Sequence, residues 1–249
     1  MNKIAIIGGS GLEDPAIIKN PAEVKINTPY GNPSSSFKTG IIEGVEVAIL
    51  SRHGRDHSIP PSHVNNRANI WAIKELGCSH ILTTTACGSL RQEIKRGDIV
   101  ILDQFIDFTR HREITFYNKF ENGDLKHSAM AEPFNQKLRE KLISNAEKLG
   151  LEFHSSGSVI TIEGPRFSTR AESKMFRSWG ADVINMSIAP ECILANEIEI
   201  SYAAVALSTD YDCWKTDEKP VTWEEVFKVF NKNVKKVIQL LRHTISDFQ

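Results

Sequence analysis

The stretch SYAAVALSTDYDCW, residues 201–214, decides how this chain is organised. Its first half, SYAAVAL (201–207), is a continuous run of small and apolar residues, which is typical of a strand buried on both faces of a sheet. Asp210 and Asp212 follow it with a spacing of two, and this spacing places both carboxylates on one face of an extended backbone. We therefore expect the two carboxylates to act together, although a solvated turn is the simpler interpretation of the spacing alone.

Short apolar runs of the same kind recur along the chain and predict further strands. They are KIAII (3–7), VEVAIL (45–50), HILTTT (80–85), DIVIL (98–102), SVITI (158–162) and DVINM (182–186). Segments with helical periodicity lie between them, and the signals expected at their starts are Ser62, Pro133, Thr169 with Glu172, and Thr222 with Glu225. The alternation predicts an α/β fold with a central, mixed but mostly parallel β-sheet flanked by helices.

Length and composition narrow the class of protein. With 249 residues and no linker-like tract, we expect a single domain spanning residues 1–249. Thirty basic and thirty-one acidic residues give a net charge of −1, which argues against a nucleic-acid partner and against a membrane partner. Any bound anion must therefore be held by a local site.

Two other features concern the compartment. The start MNKIAIIGG reaches a glycine turn after a few apolar residues, too soon for a signal peptide or a membrane span, so we expect a cytoplasmic protein. The four cysteines form no CxxC pair and no zinc-like spacing with histidine. We expect reduced, mostly packed thiols and no metal site.

The residues that follow the predicted strands form a coherent set of polar groups. Ligands of open α/β sheets collect beyond the carboxyl ends of the strands. The groups expected there are Ser10, Arg52, His53, Thr85, the Ala86 backbone, Met186, Ser187, Asp210 and Asp212. Hydroxyls and amides beside an arginine and a histidine suit a phosphate-sized anion, whereas the aspartates must face another part of the ligand. Each group taken singly also has an ordinary structural interpretation.

A dinucleotide site is not expected from the glycine turn after the first strand. Gly9 and Gly11 match the first two glycines of GxGxxG, but Asp14 stands at the third position.

The ordered segments GGSGLED, SRHGRDH, TTACGSLR, GDIVILDQFID, MAEPF, TIEGPRFSTRAES, WGADVINMS and STDYDCW carry a closer likeness. Together they resemble the methylthioadenosine phosphorylases of the trimeric purine nucleoside phosphorylase superfamily, over roughly residues 3 to 245. The resemblance implies a nucleoside phosphorylase-like fold, a homotrimer, and phosphorolysis of methylthioadenosine to adenine and 5-methylthioribose 1-phosphate. It implies no metal and no organic cofactor, with inorganic phosphate as the co-substrate.

The resemblance also implies a role for each matching residue. Phosphate would be held by Ser10, Arg52, His53, Thr85, Ala86 and Ser187. The nucleoside would contact Phe167, Ser168 and Met186 as well as the two aspartates. The pocket for the 5′ substituent would include His57, Trp223, Val226 and Phe227, and His127 would reach it from a neighbouring subunit.

The chemistry of the reaction agrees with the paired carboxylates. Cleavage of the glycosidic bond leaves negative charge on the purine, so a protonated Asp210 would donate to N7 and Asp212 would accept from the 6-amino group. Burial beside a second carboxylate favours the protonated form of Asp210. Relatives that prefer 6-oxopurines carry asparagine at the position of Asp210.

Other functions remain open at this stage. Within the superfamily, the chain would act on methylthioinosine or on purine nucleosides more broadly, and Trp223, which replaces a smaller aliphatic residue, leaves the 5′ substituent undecided. Ser10 and Ser187 stand where animal-type members have threonine, and each retains the hydroxyl. Outside the superfamily, a hydrolytic nucleosidase and a non-catalytic nucleoside-binding module are the alternatives.

Overall fold

The computed structural model describes residues 3–8, 17–121, 123–218 and 222–249. Eleven strands in this part of the chain form one sheet. They are β1 (Ile4–Gly8), β2 (Lys19–Val24), β3 (Phe37–Ile42), β4 (Val45–Ser51), β5 (His80–Ser89), β6 (Ile99–Ile101), β7 (Gln104–Phe108), β8 (Phe153–His154), β9 (Ser158–Ile162), β10 (Val183–Asn185) and β11 (Ser201–Tyr211). The seven predicted apolar runs correspond to β1, β4, β5, β6, β9, β10 and β11.

The pairing of the strands is mixed with a parallel majority. Strands β4, β1, β5 and β11 run parallel to one another, as do β10, β9 and β7, and β6 runs parallel to β8. Antiparallel pairs join β2 to β3, β3 to β4, β10 to β5 and β11 to β6. The predicted mixed, mostly parallel sheet is confirmed, and its parallel strands bring the carboxyl ends of β1, β4, β5 and β11 to one edge.

Five α-helices flank the sheet in the described residues. They are α1 (Asn66–Glu75), α2 (Gln136–Lys148), α3 (Arg170–Ser178), α4 (Ile188–Glu197) and α5 (Trp223–Ser246). Helix α3 begins with the predicted capping box, in which Thr169 and Glu172 bond reciprocally to each other's backbone. Helix α5 begins at the predicted Thr222, whose hydroxyl accepts from the Glu225 backbone N–H.

The starts predicted for the first two helices are wrong. A short 3-10 turn at Pro61–His63 precedes α1, and Asn65, not Ser62, accepts from the N–H of Ala68 as the cap. Asn135, not Pro133, caps α2. In both segments asparagine supplies the side-chain acceptor for an otherwise unpaired N–H of the first turn.

Elements without a clear pattern in the sequence were not predicted. Helix α4 is mostly apolar and buried and contains Pro190 near its start, so it shows no amphipathic stripe. Strands β2, β3, β7 and β8 are short and, in large part, exposed or half-buried. Their pairing in the sheet decides their conformation, because local propensity is a weak guide for short, half-exposed strands.

The sheet has apolar clusters on both faces. One contains Ile70 and Ile73 of α1 with Leu194 of α4, and the other contains Leu142 of α2 with Leu241 of α5. Burial of a leucine or isoleucine side chain of this kind stabilises a fold by about 1.5–3 kcal/mol. The four cysteines are free thiols and three of them are buried, as expected.

No helix in the described ranges is long and apolar enough to cross a membrane. The cytoplasmic location and the single domain over residues 1–249 stay predictions.

Candidate active site

A cavity of about 470 Å³ opens where the parallel strands end, and the first turns of α5 form part of its wall. The residues predicted for the site that line it are Arg52, His53, His57, Thr85, Ala86, Phe167, Ser168, Met186, Ser187, Asp210, Asp212, Trp223, Val226 and Phe227. Ser10 lies outside the described residues. His127 is exposed, contacts Phe120 edge-on and does not line the cavity of its own chain.

Arg52 follows the last residue of β4 and is held by a buried network. Its Nε donates to Oε1 of Glu191, and its Nη2 donates to Oε2 of the same carboxylate at 3.1 Å. Nη2 also donates to the Thr83 hydroxyl at 2.6 Å, and Nη1 donates to the Thr84 carbonyl at 3.0 Å. Burial alone would lower the pKa of Arg52, but the negative charge of Glu191 outweighs it and raises that pKa. The guanidinium is therefore charged and fixed in position.

Two hydroxyls lie together, one in the middle of β5 and one just after β10. The Oγ1 of Thr85 is 3.2 Å from the Oγ of Ser187, the residue before the first turn of α4. The buried Asn185 donates to Thr85 and accepts from the Ser187 backbone N–H. Ser187 makes no side-chain cap to α4, so its hydroxyl is available to an anion in the cavity.

His53 adds no positive charge to this end of the cavity. Its Nδ1 lies 3.0 Å from the Ile59 carbonyl, which makes Nδ1 the protonated nitrogen. Burial, with the neighbouring charge of Arg52, lowers the pKa of His53 to about 4. The imidazole is thus neutral at pH 7, and its Nε2 is a hydrogen-bond acceptor.

Asp210 lies near the carboxyl end of β11 and also lines the cavity. A β-bulge between Ser208 and Asp210 shifts the register against β5, and such bulges re-aim side chains next to active sites. A Cβ on the facing Gly88 would lie 2.9 Å from Asp210 Oδ1, so glycine provides the room for this carboxyl group.

Asp210 is suited to carry a proton near neutral pH. Burial raises its pKa to about 7 and the charge of Asp212 adds to the rise, against a lowering by the hydrogen bond to Thr209. Thr209 Oγ1 is 2.8 Å from Asp210 Oδ2 and 3.1 Å from the Cys87 carbonyl. When the Thr209 hydroxyl donates to Oδ2, the proton of a neutral Asp210 is carried by the other oxygen, Oδ1.

Asp212 is buried beside Asp210. Its Oδ2 accepts from the Ser168 hydroxyl at 2.6 Å. In the described part of the chain nothing donates to its Oδ1. The pair therefore offers a proton donor and an acceptor to one ligand.

Aromatic rings form an apolar wall between the anion end and α5. His53 stacks on His57, with centroids 5.5 Å apart, and His57 lies 6.3 Å from Trp223, which stacks on Phe227. Trp223 and Phe227 are 56% and 47% exposed, so this wall lies at the mouth of the cavity.

Met186 faces the cavity from the end of β10. Arg112 fixes its backbone by donating to the Met186 carbonyl at 3.3 Å, and the same guanidinium is paired with Glu163. Phe167 is 42% exposed beside it, on the loop before α3.

This arrangement combines anion donors at one end with a proton donor and acceptor at the other. Arg52 and Asp210 share the cleft, as the hypothesis required. In the described residues no group of three histidine, cysteine or acidic side chains could hold a metal ion.

Comparison with known proteins gives the family. The family model of the phosphorylase superfamily matches residues 3–246, nearly the whole chain. The chain belongs to the phosphorylase superfamily. This phosphorylase is 55% identical over 242 residues to S-methyl-5′-thioadenosine phosphorylase of Xenopus tropicalis, covering 96% of this chain and 86% of the relative. It is 52% identical over 241 residues to the enzyme of that name from Danio rerio, with the same coverage.

Solved structures of related phosphorylases have the same fold. The methylthioadenosine phosphorylase from Schistosoma mansoni in complex with adenine superposes with a TM-score of 0.93 at 41% identity, covering 100% of this chain and 92% of that chain. A mutant of adenosine/methylthioadenosine phosphorylase from the same organism, in complex with methylthioadenosine, gives the same values. The predicted resemblance and the predicted fold are confirmed.

The sequence patterns did not predict a role for some residues that shape the site of this phosphorylase. Glu191 is flanked on both sides by apolar residues in IAPECILA (188–195), and an isolated carboxylate in such a run is a signal for a buried pair. Asn185 and Gly88 carry no comparable signal, because their roles depend on strands that only the folded sheet brings together.

Proposed function

We propose that this phosphorylase cleaves S-methyl-5′-thioadenosine with inorganic phosphate, giving adenine and 5-methylthioribose 1-phosphate. The observation that carries the proposal is the joint placement of Arg52 and the Asp210–Asp212 pair around one cavity. The names of the relatives, at 47–55% identity, support the same substrate.

Phosphate is the nucleophile in the proposed reaction. The residues proposed to hold it are Ser10, Arg52, His53, Thr85, Ala86 and Ser187. A phosphate oxygen bonds to the anomeric carbon while the bond from that carbon to N9 breaks, and the electron pair of that bond passes to the purine. Neutral His53 serves here as an acceptor, for a protonated phosphate oxygen or for a sugar hydroxyl.

Asp210 neutralises the charge that develops on the purine. In its protonated form it donates to N7 as the glycosidic bond breaks, which is general acid catalysis by a group whose pKa lies near the working pH. Its burial at the end of β11 supports this role, because the cavity keeps the carboxyl group away from bulk water.

Asp212 is proposed to select the base. Ser168 donates to one carboxylate oxygen, and the other can accept from the 6-amino group of adenine. A 6-oxopurine would place a carbonyl oxygen there and leave this oxygen of the buried carboxylate without a donor, at a cost of about 1.5–3 kcal/mol or more. This corresponds to a preference of roughly tenfold to more than a hundredfold for the aminopurine.

The remaining side chains contact the sugar and its 5′ substituent. Met186 is proposed to pack against the ribose and Phe167 to cover the base. The ring wall of His57, Trp223 and Phe227, with Val226 beside it, supports an apolar 5′ group such as methylthio. No metal or organic cofactor enters the proposed reaction.

A homotrimer is part of the proposal. His127 is proposed to reach the 5′ pocket of a neighbouring subunit, which agrees with its position away from its own cavity. The surrounding segment carries the exposed apolar side chains of Ile114, Phe120 and Leu125, and a contact with another subunit would cover them.

The deciding experiment measures base release from methylthioadenosine and from methylthioinosine, each with and without inorganic phosphate. We expect adenine release only with phosphate and at least tenfold slower release from methylthioinosine. Release without phosphate would identify a nucleosidase, tight binding without turnover would identify a binding module, and faster release from methylthioinosine would reverse the base preference.

Arg52→Ala should raise the KM for phosphate at least tenfold while changing the KM for the nucleoside much less.

A further inference from the structure

Behind Arg52, on the side away from the cavity, lies a carboxylate that the proposed reaction does not use. Glu191 is completely buried on α4, whereas Arg52 lines the cavity. Each oxygen of Glu191 accepts from Arg52, and its Oε2 also accepts from the Tyr202 hydroxyl at 2.9 Å. A buried carboxylate needs such partners, because an unpaired charge in a protein interior is strongly unfavourable.

The pairing with Glu191 limits how many N–H groups of the Arg52 guanidinium can donate to a ligand. Arginine has five N–H groups. Two of them donate to Glu191, one to the Thr83 hydroxyl and one to the Thr84 carbonyl. A single Nη1 hydrogen has no acceptor among the described residues. Arg52 can therefore give an anion in the cavity one hydrogen bond.

The charge of Arg52 is also largely cancelled. Glu191 forms a close, two-pronged ion pair with it, in a region where water does not screen the charges. Arg55 also lines the cavity but is paired with Glu23 at 3.0 Å, and His53 is neutral at pH 7 because its pKa is lowered to about 4. An anion here meets a site that is rich in donors but nearly neutral.

We propose that Glu191 is a positioning residue that sets the affinity for phosphate. It fixes the Arg52 guanidinium with one hydrogen toward the cavity, and its negative charge keeps phosphate binding weak. Weak phosphate binding suits this site, because the phosphate group becomes part of the sugar phosphate product and that product must then dissociate. The inference rests on the proposed function, since it takes Arg52 as a phosphate ligand.

The test compares Glu191→Gln with the native enzyme. Glutamine has nearly the same shape and keeps one acceptor for Arg52, but it removes the negative charge. We expect the KM for inorganic phosphate to fall about tenfold, with the KM for methylthioadenosine within twofold of native. Without phosphate the melting temperature should fall, because Arg52 is left as a buried, uncompensated cation. Added phosphate should raise that temperature more than in the native enzyme.

In Glu191→Gln we expect stability to fall while phosphate affinity rises, and this combination distinguishes the proposed role from a purely structural one. A structural role predicts lower stability with unchanged or weaker phosphate binding, and either result would overturn the inference. Glu191→Asp withdraws the carboxylate by about one bond, roughly 1.5 Å, and should lower the phosphate KM in the same direction but by less. It keeps the inference testable if the glutamine variant fails to fold.

Cys192→Ala is the matched control. Cys192 is the next residue on α4 and equally buried, but its thiol contacts the Pro133 carbonyl and not Arg52. The phosphate KM of the Cys192→Ala variant should equal that of the native enzyme. If the native enzyme releases adenine without phosphate, the proposed function fails. If it needs phosphate and Glu191→Gln keeps the native phosphate KM, only the role of Glu191 fails.

Discussion

At the scale of single residues, Asp210 shows how position changes chemistry. An aspartate in water is ionised at neutral pH and could not donate a proton to a purine. Burial in the cavity, with Asp212 nearby, raises its pKa from 3.8 to about 7. The two carboxyl groups thus differ in role although they differ in sequence position by only two.

This pKa predicts a pH dependence. The folded enzyme retains the proton on Asp210 below pH 7 and loses it above, so kcat/KM for methylthioadenosine should fall as the pH rises through about 7. The measurement is a pH profile at saturating phosphate. In Asp210→Asn we expect activity lower by about a hundredfold or more, a weaker bias against 6-oxopurines, and no decline near pH 7. A decline that persists unchanged in this variant would belong to another group.

At the scale of elements, the pairing of β5 with β11 decides where the base-binding groups lie. The two strands run parallel over their whole length, with the bulge at Ser208–Asp210 opposite Cys87 and Gly88. Ile184 of β10 packs on the other side of Gly88. There is consequently no room for a side chain at this position.

Gly88→Ala should therefore damage nucleoside binding selectively. The new Cβ would meet Asp210 Oδ1 at 2.9 Å and Ile184 Cγ2 at 3.1 Å, so the carboxyl group must move. We expect the KM for methylthioadenosine to rise about tenfold and the KM for phosphate to change by less than threefold, since misplacement of a catalytic group by an ångström is costly.

The control for this variant is Gly77→Ala. A Cβ there meets nothing within 4 Å, but the backbone has φ +72°, so the substitution reduces stability without contact with the cavity. It should leave both KM values native. A native nucleoside KM in Gly88→Ala would contradict the steric argument.

At the scale of the whole molecule, the proposed trimer makes each site depend on two chains. Arg52 and Asp210 belong to the cavity of one chain, and His127 is proposed to come from the next. A head-to-tail ring of this kind uses two different patches on each subunit.

Mixing inactive variants tests this arrangement. Arg52→Ala and His127→Ala subunits, unfolded and refolded together in equal amounts, should recover up to about a quarter of native activity, because that fraction of sites in random rings combines the intact cavity of one chain with the native His127 of another. Arg52→Ala mixed with Asp210→Asn should recover nothing, since each cavity then carries its own defect. Equal results from the two mixtures would contradict the donation of His127 between subunits, and a monomer in sedimentation would contradict the trimer.

Local patterns in the sequence were enough to predict most of the sheet. Continuous apolar runs such as SYAAVAL and HILTTT predicted buried strands because both faces of a parallel sheet are covered. The capping box at Thr169 predicted the start of α3 because its contacts lie within four residues. Helix α4 was missed because a mostly buried helix without an amphipathic stripe has no periodic signal.

Most of the polar groups around the cavity were also predictable from the sequence, because β4, β5 and β11 run parallel and their carboxyl-terminal parts meet at one edge. Only the tertiary structure decided how those groups behave. The pairing of Arg52 with Glu191, 139 positions apart, the space left by Gly88 and the raised pKa of Asp210 all depend on burial and distance. Electrostatic interactions and steric fit act through space, so the order of residues along a chain does not determine them until the chain has folded.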